Sequence, residues 1–200
     1  MKEKMSRLTL PWRIFLVIAV SALCAYVVNY HIPFTGVKTI ETNFQAGKGI
    51  VSHLYPVARV RDMAFADGRS YRPMIEDPVY FDVRTVVPYK RMRIGLMYNN
   101  KTGIPLKIGM KLPDGGPDFE LRVLENETSE GEWTRGSASF DLSDASYYNS
   151  KYTFAFSVPG LRTENTGAGE VRLSRITLTL EREPFEWNDI ASLWKQKLPK

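Results

Sequence analysis

The sequence predicts a mainly β protein: a single N-terminal transmembrane helix, an antiparallel β-sandwich of the jelly-roll kind, and a short C-terminal amphipathic helix. Three observations lead there. Residues 14–30 contain no charged side chain. From residue 56 onward apolar residues recur with a period of two, as in strands with one wet face. Beyond Pro184 the period changes, and Ile190, Leu193, Trp194 and Leu198 fall at helical spacing.

Residues 1–13 form a basic flank, with Lys2, Lys4, Arg7 and Arg13 against Glu3. Residues 14–32 are expected to be the transmembrane helix. From Trp12 to Tyr30 a helix covers about 28 Å, close to the ~30 Å of a bilayer core. Trp12 at one end and Tyr26 and Tyr30 at the other suit the two interfaces. A cleaved leader ends its apolar run at a small-residue site; here Tyr26, Val27 and Val28 continue past Ala22-Leu23-Cys24-Ala25. The expected location is therefore the plasma (inner) membrane, single-pass, with a cytoplasmic N-terminus and the C-terminal domain extracytoplasmic.

The charge of +5 is concentrated at the start, where the flank holds +3 and the remaining residues +2. No basic stripe follows, which argues against nucleic acid. The single cysteine, Cys24, lies in the apolar run, so the outer domain has neither disulfides nor cysteine metal ligands. With about 150 residues it is large enough to stand on its own core.

Residues 33–55 read as a connector, opened by Pro33 and loosened by Gly47 and Gly49, with Phe44, Ile50 and Val51 available to pack. Residues 56–183 are the sandwich. Val79, Phe81, Val83 and Thr85 share one face, as do Met92, Ile94, Leu96 and Tyr98. Leu106, Ile108, Met110 and Leu112 make a third set, Phe119, Leu121 and Val123 a fourth, and Tyr152, Phe154, Phe156 and Val158 a fifth. Asn99–Gly103 reads as a hairpin turn; Pro113–Pro117 and Thr166–Gly169 punctuate later gaps. In the last strand Val171 and Leu173 are odd-numbered, whereas Ile176, Leu178 and Leu180 are even. One extra residue near Ser174-Arg175, a β-bulge, keeps both sets inward. In the tail, residues 184–200, Asn188 can cap a helix whose C-terminal end carries Lys195, Lys197 and Lys200.

Little in the chain supports catalysis. His31 and His53 are the only histidines, too few for a triad or a zinc site without cysteine. The carboxylates Glu76, Asp77, Asp82, Asp114, Asp118, Asp141 and Asp144 could supply a glycosidase pair, but their spacing sets no two across a cleft. No cofactor is expected, with structural Ca2+ the one metal the residues allow: Glu76 and Asp77 offer hard oxygens before a strand. Asp141 and Asp144 fit turn caps instead. Trp133, Arg135, Tyr147, Tyr148 and Asn149 lie in loop-like segments. They are the candidate ligand contacts, since aromatic rings stack on sugar faces while Arg and Asn bond hydroxyls; plugging the end of the sandwich is the competing role for Trp133 and one tyrosine. Ile190, Leu193, Trp194 and Leu198 are the candidate docking stripe for a membrane or a partner.

Asp77-Pro78-Val79-Tyr80-Phe81, the segment Arg93–Asn100 and the segment Tyr152–Gly160 resemble galactose-binding-like and carbohydrate-binding-module jelly rolls. They also resemble membrane-anchored outer domains of bacterial envelope proteins. The likeness is one of strand rhythm over about half the chain. It implies a fold that binds glycans or proteins and carries over no site residue. The first expectation is a non-enzymatic, membrane-anchored extracytoplasmic module, an accessory or assembly subunit of an envelope membrane complex with a membrane-protein partner. The alternative is a glycan-binding domain holding a surface polysaccharide; a glycosidase is third.

Overall fold

A computed structural model describes residues 10–31, 33, 35–44, 49–113, 118–162 and 170–184. The expected tail helix, with Ile190, Leu193, Trp194 and Leu198, lies outside the described residues, as do the expected turn Thr166–Gly169 and all of the expected turn Pro113–Pro117 but its first residue.

Two antiparallel sheets stack with their apolar faces together. The first contains β1 (Val37–Thr42), β2 (Ala64–Ala66), β3 (Arg69–Met74), β5 (Arg91–Asn100), β8 (Glu125–Glu130), β9 (Trp133–Asp141) and β12 (Val171–Glu181). Its order is β2-β3-β12-β5-β9-β8, with β1 also pairing β12. The second contains β4 (Val79–Arg84), β6 (Lys107–Lys111), β7 (Phe119–Val123), β10 (Tyr147–Tyr148) and β11 (Lys151–Ser157). Here β11 pairs β4 on one side and β6 and β10 on the other, and β7 follows β6. The chain crosses between the sheets at β3–β4, β4–β5, β5–β6, β7–β8, β9–β10 and β11–β12, as in a jelly roll.

The period-two residues fill the gap. Val79, Phe81, Val83, Met92, Ile94, Ile108, Met110, Phe154 and Phe156 are fully buried. Phe81 stacks on Phe154 and Phe156, with centroids 5.5 and 5.0 Å apart, and Phe44 meets Phe156 edge-on at 6.0 Å. The bulge falls where the phase change requires it: the register between β12 and β5 shifts between Leu173 and Arg175, and Val171, Leu173, Ile176, Leu178 and Leu180 are all buried. Asp141 caps a short 3-10 turn, its carboxylate accepting from Ser143 N–H at 3.0 Å.

Three features depart from the periodicity. The sheet begins within the connector: β1 pairs β12 over six residues, and residues 50–55 bond along the edge of β4, with Ser52 N–H to Asp82 O at 2.9 Å and Tyr80 N–H to Tyr55 O at 2.7 Å. The Asn99–Gly103 turn is not a hairpin, because β5 and β6 lie in different sheets and the loop crosses between them. In β7 the phase is reversed. Glu120 and Arg122 oppose the inward Met110 and Ile108, while Leu121 opposes Gly109 on the outer face. The absence of a side chain at Gly109 is what seats them: a Cβ there would lie 2.7 Å from Leu121 Cδ2 and 3.1 Å from Phe119 Cβ. Arg122 reaches the rim of the sandwich, its guanidinium 5.2 Å from the Phe140 ring.

The helix α1 (Leu10–His31) belongs to a separate compact unit from the sandwich, which runs from Val37 to Glu183. Its described side chains, Trp12 and residues 14–27, are all exposed. Among the described residues no helix is long and apolar enough to cross a membrane; the described apolar run from Ile14 to Val27 covers only about 21 Å.

Candidate functional site

The outer face of the first sheet carries a groove of about 540 Å³. It is built by strand register. Arg175, Met97 and Arg135 stand opposite one another on β12, β5 and β9; the next outward row is Glu41, Thr177, Gly95 and Ser137. Gly95 keeps the floor low. A Cβ there would meet only Thr177, at 3.7 and 3.8 Å, so the glycine is not needed for packing.

One wall is the β2–β3 hairpin. Asp67-Gly68 turns it with φ of 53° and 72°, the positive pair that a two-residue hairpin requires. This tip brings Asp67, Gly68 and Arg69 to the groove. Arg69 is ion-paired with Glu130, at the end of β8. Across the floor, Arg175 pairs with Glu41 at 2.8 Å, and Arg135 lies 3.4 Å from Glu127. Glu127 also accepts from Ser137 Oγ at 2.6 Å and from Arg93; these bonds hold its carboxyl below the usual range against a small opposing effect of burial. The lining thus holds three guanidiniums (Arg69, Arg135, Arg175) and three carboxylates (Glu41, Asp67, Glu130), with most of the charge already paired.

The sequence candidates divide. Arg135 lines the groove. Trp133 is two residues away but buried, 2% exposed, with its ring 5.8 Å from Tyr71 of the hairpin. Arg172 lies over the other partner of that contact, 5.0 Å from the Tyr71 ring. Trp133 therefore packs beneath the hairpin that walls the groove. Tyr147, Tyr148 and Asn149 belong to the other sheet, in the β10–β11 hairpin, where Asn149 and Ser150 turn the chain at φ of 52° and 59°. Tyr147 packs on Tyr152 with the rings tilted and their centroids 4.7 Å apart, and it donates to Thr85 O at 3.0 Å; Tyr148 is 70% exposed. The five residues do not form one site. Asp77 accepts from Val158 N–H at 2.8 Å and so ties down the following turn. Among the described residues no three His, Cys, Asp or Glu side chains gather as metal ligands, at Glu76 and Asp77 or elsewhere.

Glu41, Arg69, Gly95 and Arg175 escape a reading by residue type. Only Asp67-Gly68, between two short β runs, signals its structure in advance.

No family model matches the chain, nor does any curated protein. Solved structures similar to it include carbohydrate-binding modules, the type its strand rhythm resembles. A xylan-binding module, CBM15, is 15% identical with a TM-score of 0.46, covering 74% of this chain and 99% of its own. The CBM22-1 xylan-binding domain of Paenibacillus barcinonensis Xyn10C is 12% identical with a TM-score of 0.46, over 72% and 94%. The C-terminal CBM6 of a laminarinase from Zobellia galactanivorans is 12% identical with a TM-score of 0.43, over 71% and 99%. Such likeness shows the fold alone and transfers neither a ligand nor a site residue.

Proposed function

We infer that the sandwich is a non-catalytic glycan-binding domain that holds a neutral polysaccharide across the outer face of its first sheet. The supporting observation is the balance of the groove lining. A sugar hydroxyl both donates and accepts. Guanidinium forks supply fixed pairs of donors and carboxylates supply acceptors, so alternating Arg and Glu can bond successive hydroxyls. With three cations and three anions in the lining, a polyanion gains no net attraction. Met97 offers a soft apolar contact for the C–H face of a ring, and the volume lies within the about 300–1,000 Å³ of small-ligand sites.

A non-enzymatic role is supported by the engagement of the carboxylates. Arg175 holds Glu41 and Arg69 holds Glu130, so the two are not a free acid and base facing each other across a bond. Electrophoresis through gels containing neutral or uronic-acid polysaccharides tests the reading. Retardation by at least one neutral polymer, little changed between low and moderate salt, is expected. Retardation by acidic polymers alone, collapsing with salt, would contradict it.

In the same reading the N-terminal helix tethers the domain to the extracytoplasmic face of a membrane. Support comes from the sequence, which keeps residues 14–30 free of charge behind a basic flank, and from a helix with exposed apolar side chains all round. A reporter fused after Lys200 should be active only outside the cytoplasm; activity inside would refute the orientation.

A further inference from the structure

We propose that β7 is a dimerisation edge, at which a second copy of this chain pairs antiparallel about a two-fold axis through Leu121. Among the described residues β7 pairs with β6 alone and its other edge carries no strand. The ladder phase shows which groups that edge presents. Leu112 N–H donates to Asp118 O at 3.1 Å and Leu124 N–H to Leu106 O at 3.4 Å. Antiparallel bonding alternates, so the even-numbered residues of β7 bond β6, while the N–H and C=O groups of Phe119, Leu121 and Val123 face outward from the sheet edge.

The sequence of this edge is complementary to itself. With Leu121 opposite Leu121 of the second copy, Phe119 meets Val123 and Glu120 meets Arg122, in both directions. Apolar residues then meet apolar ones on the outer face, and each carboxylate meets a guanidinium on the other. The same register places the outward N–H groups in bonded pairs, so every edge donor of both strands finds a carbonyl. A register displaced by one residue turns the outward groups away from one another.

The far edge of the first sheet is different. There β8 reads Glu-Asn-Glu-Thr-Ser-Glu with every residue exposed, an acidic edge of the kind that repels a second strand. In β7, Leu121 and Val123 remain 46% and 55% exposed, and Glu120 and Arg122, ion-paired with each other within the strand, leave the edge with no net charge to repel a copy of itself. The two-fold arrangement is closed, which accounts for an apolar edge that does not propagate into fibres.

The test is the protein mass of the full chain in neutral detergent micelles, by light scattering or sedimentation. The parent should be a dimer, twice 22.8 kDa. Leu121→Pro removes one outward N–H and no bond to β6, so it should fold and be a monomer. Arg122→Glu sets like charges opposite each other and should also be monomeric, while Glu120→Arg/Arg122→Glu restores complementarity and should restore the dimer. In a Cys24→Ser background, Leu121→Cys should form a disulfide-linked dimer on mild oxidation, since bonded antiparallel pairs stand ~5.5 Å apart at Cα, within disulfide range. A monomeric parent, a dimer that survives Leu121→Pro, or no cross-link at position 121 each overturns the proposal. Dimerisation through the N-terminal helix would show as survival in the proline variant.

Discussion

Asp82 is a carboxylate that organises one face of a sheet. Its oxygens accept from Tyr55 Oη at 2.9 Å, Thr153 Oγ1 at 2.8 Å and Lys151 Nζ at 2.8 Å, while its own N–H donates to Ser52 Oγ at 2.8 Å. Burial alone would raise its pKa. The bonds from Lys151, Thr153 and Tyr55 outweigh that and hold it below the ordinary value. A depressed carboxyl stabilises the fold at pH above its unfolded pKa of about 3.9, and that stability is lost as pH falls through the lower folded value. Melting temperatures should therefore fall more steeply below pH 4 in the parent than in Asp82→Asn; parallel curves would show that the bonds do not favour the charged form. Trp133 gives a second prediction. Its indole N–H is buried and has no hydrogen-bond partner among the described residues. Trp133→Phe, which removes that orphan group, should change stability little, whereas Trp133→Ala should cost on the order of 3–5 kcal/mol. Equal losses would mean that the N–H is bonded in solution.

At the scale of elements, the bulge in β12 is the most demanding feature. It keeps two apolar sets of opposite parity in one core. Deleting Ser174 leaves either Val171 and Leu173 or Ile176, Leu178 and Leu180 facing water, so the variant should not fold cooperatively. A single sharp thermal transition near that of the parent would show that the bulge is dispensable. Parity made this element legible in the sequence. It could not do the same for β7. Phe-Glu-Leu-Arg-Val alternates equally well either way round, and the decision rests on Gly109 across the ladder and on Arg122 finding Phe140 at the rim, both non-local facts. For the same reason β1 is hidden: Val37, Thr39 and Glu41 occupy one side with Lys38, Ile40 and Thr42 on the other, and neither set is apolar enough to stand out before β12 is there to pair with it.

For the whole molecule, strand rhythm revealed the two-layer sandwich and its core, because burial imposes its period on the sequence. The groove was less legible. Arg135 is visible as a residue type near an aromatic, but Glu41, Arg69, Gly95 and Arg175 meet only through the register of β1, β3, β5 and β12 and the curl of one hairpin. Trp133, which the sequence offers either as a ligand contact or as a packing residue, is buried against Tyr71 of the hairpin that walls the groove.

Calorimetric titration of the full chain with a polysaccharide that retards it in a gel shows whether this groove binds a neutral glycan. Three variants are compared with the parent. Gly95→Val puts a Cβ in ordinary contact with Thr177, adds two methyls to the floor of the groove and suits a strand better than glycine, so it should melt at or above the parent temperature and bind at least ~10-fold more weakly, about 1.4 kcal/mol. Arg135→Ala should lose a similar factor. Tyr148→Ala, on the other sheet, should bind as the parent does. Undiminished binding by folded Gly95→Val, or loss of binding on changing Tyr148 alone, would place the ligand elsewhere and contradict the account.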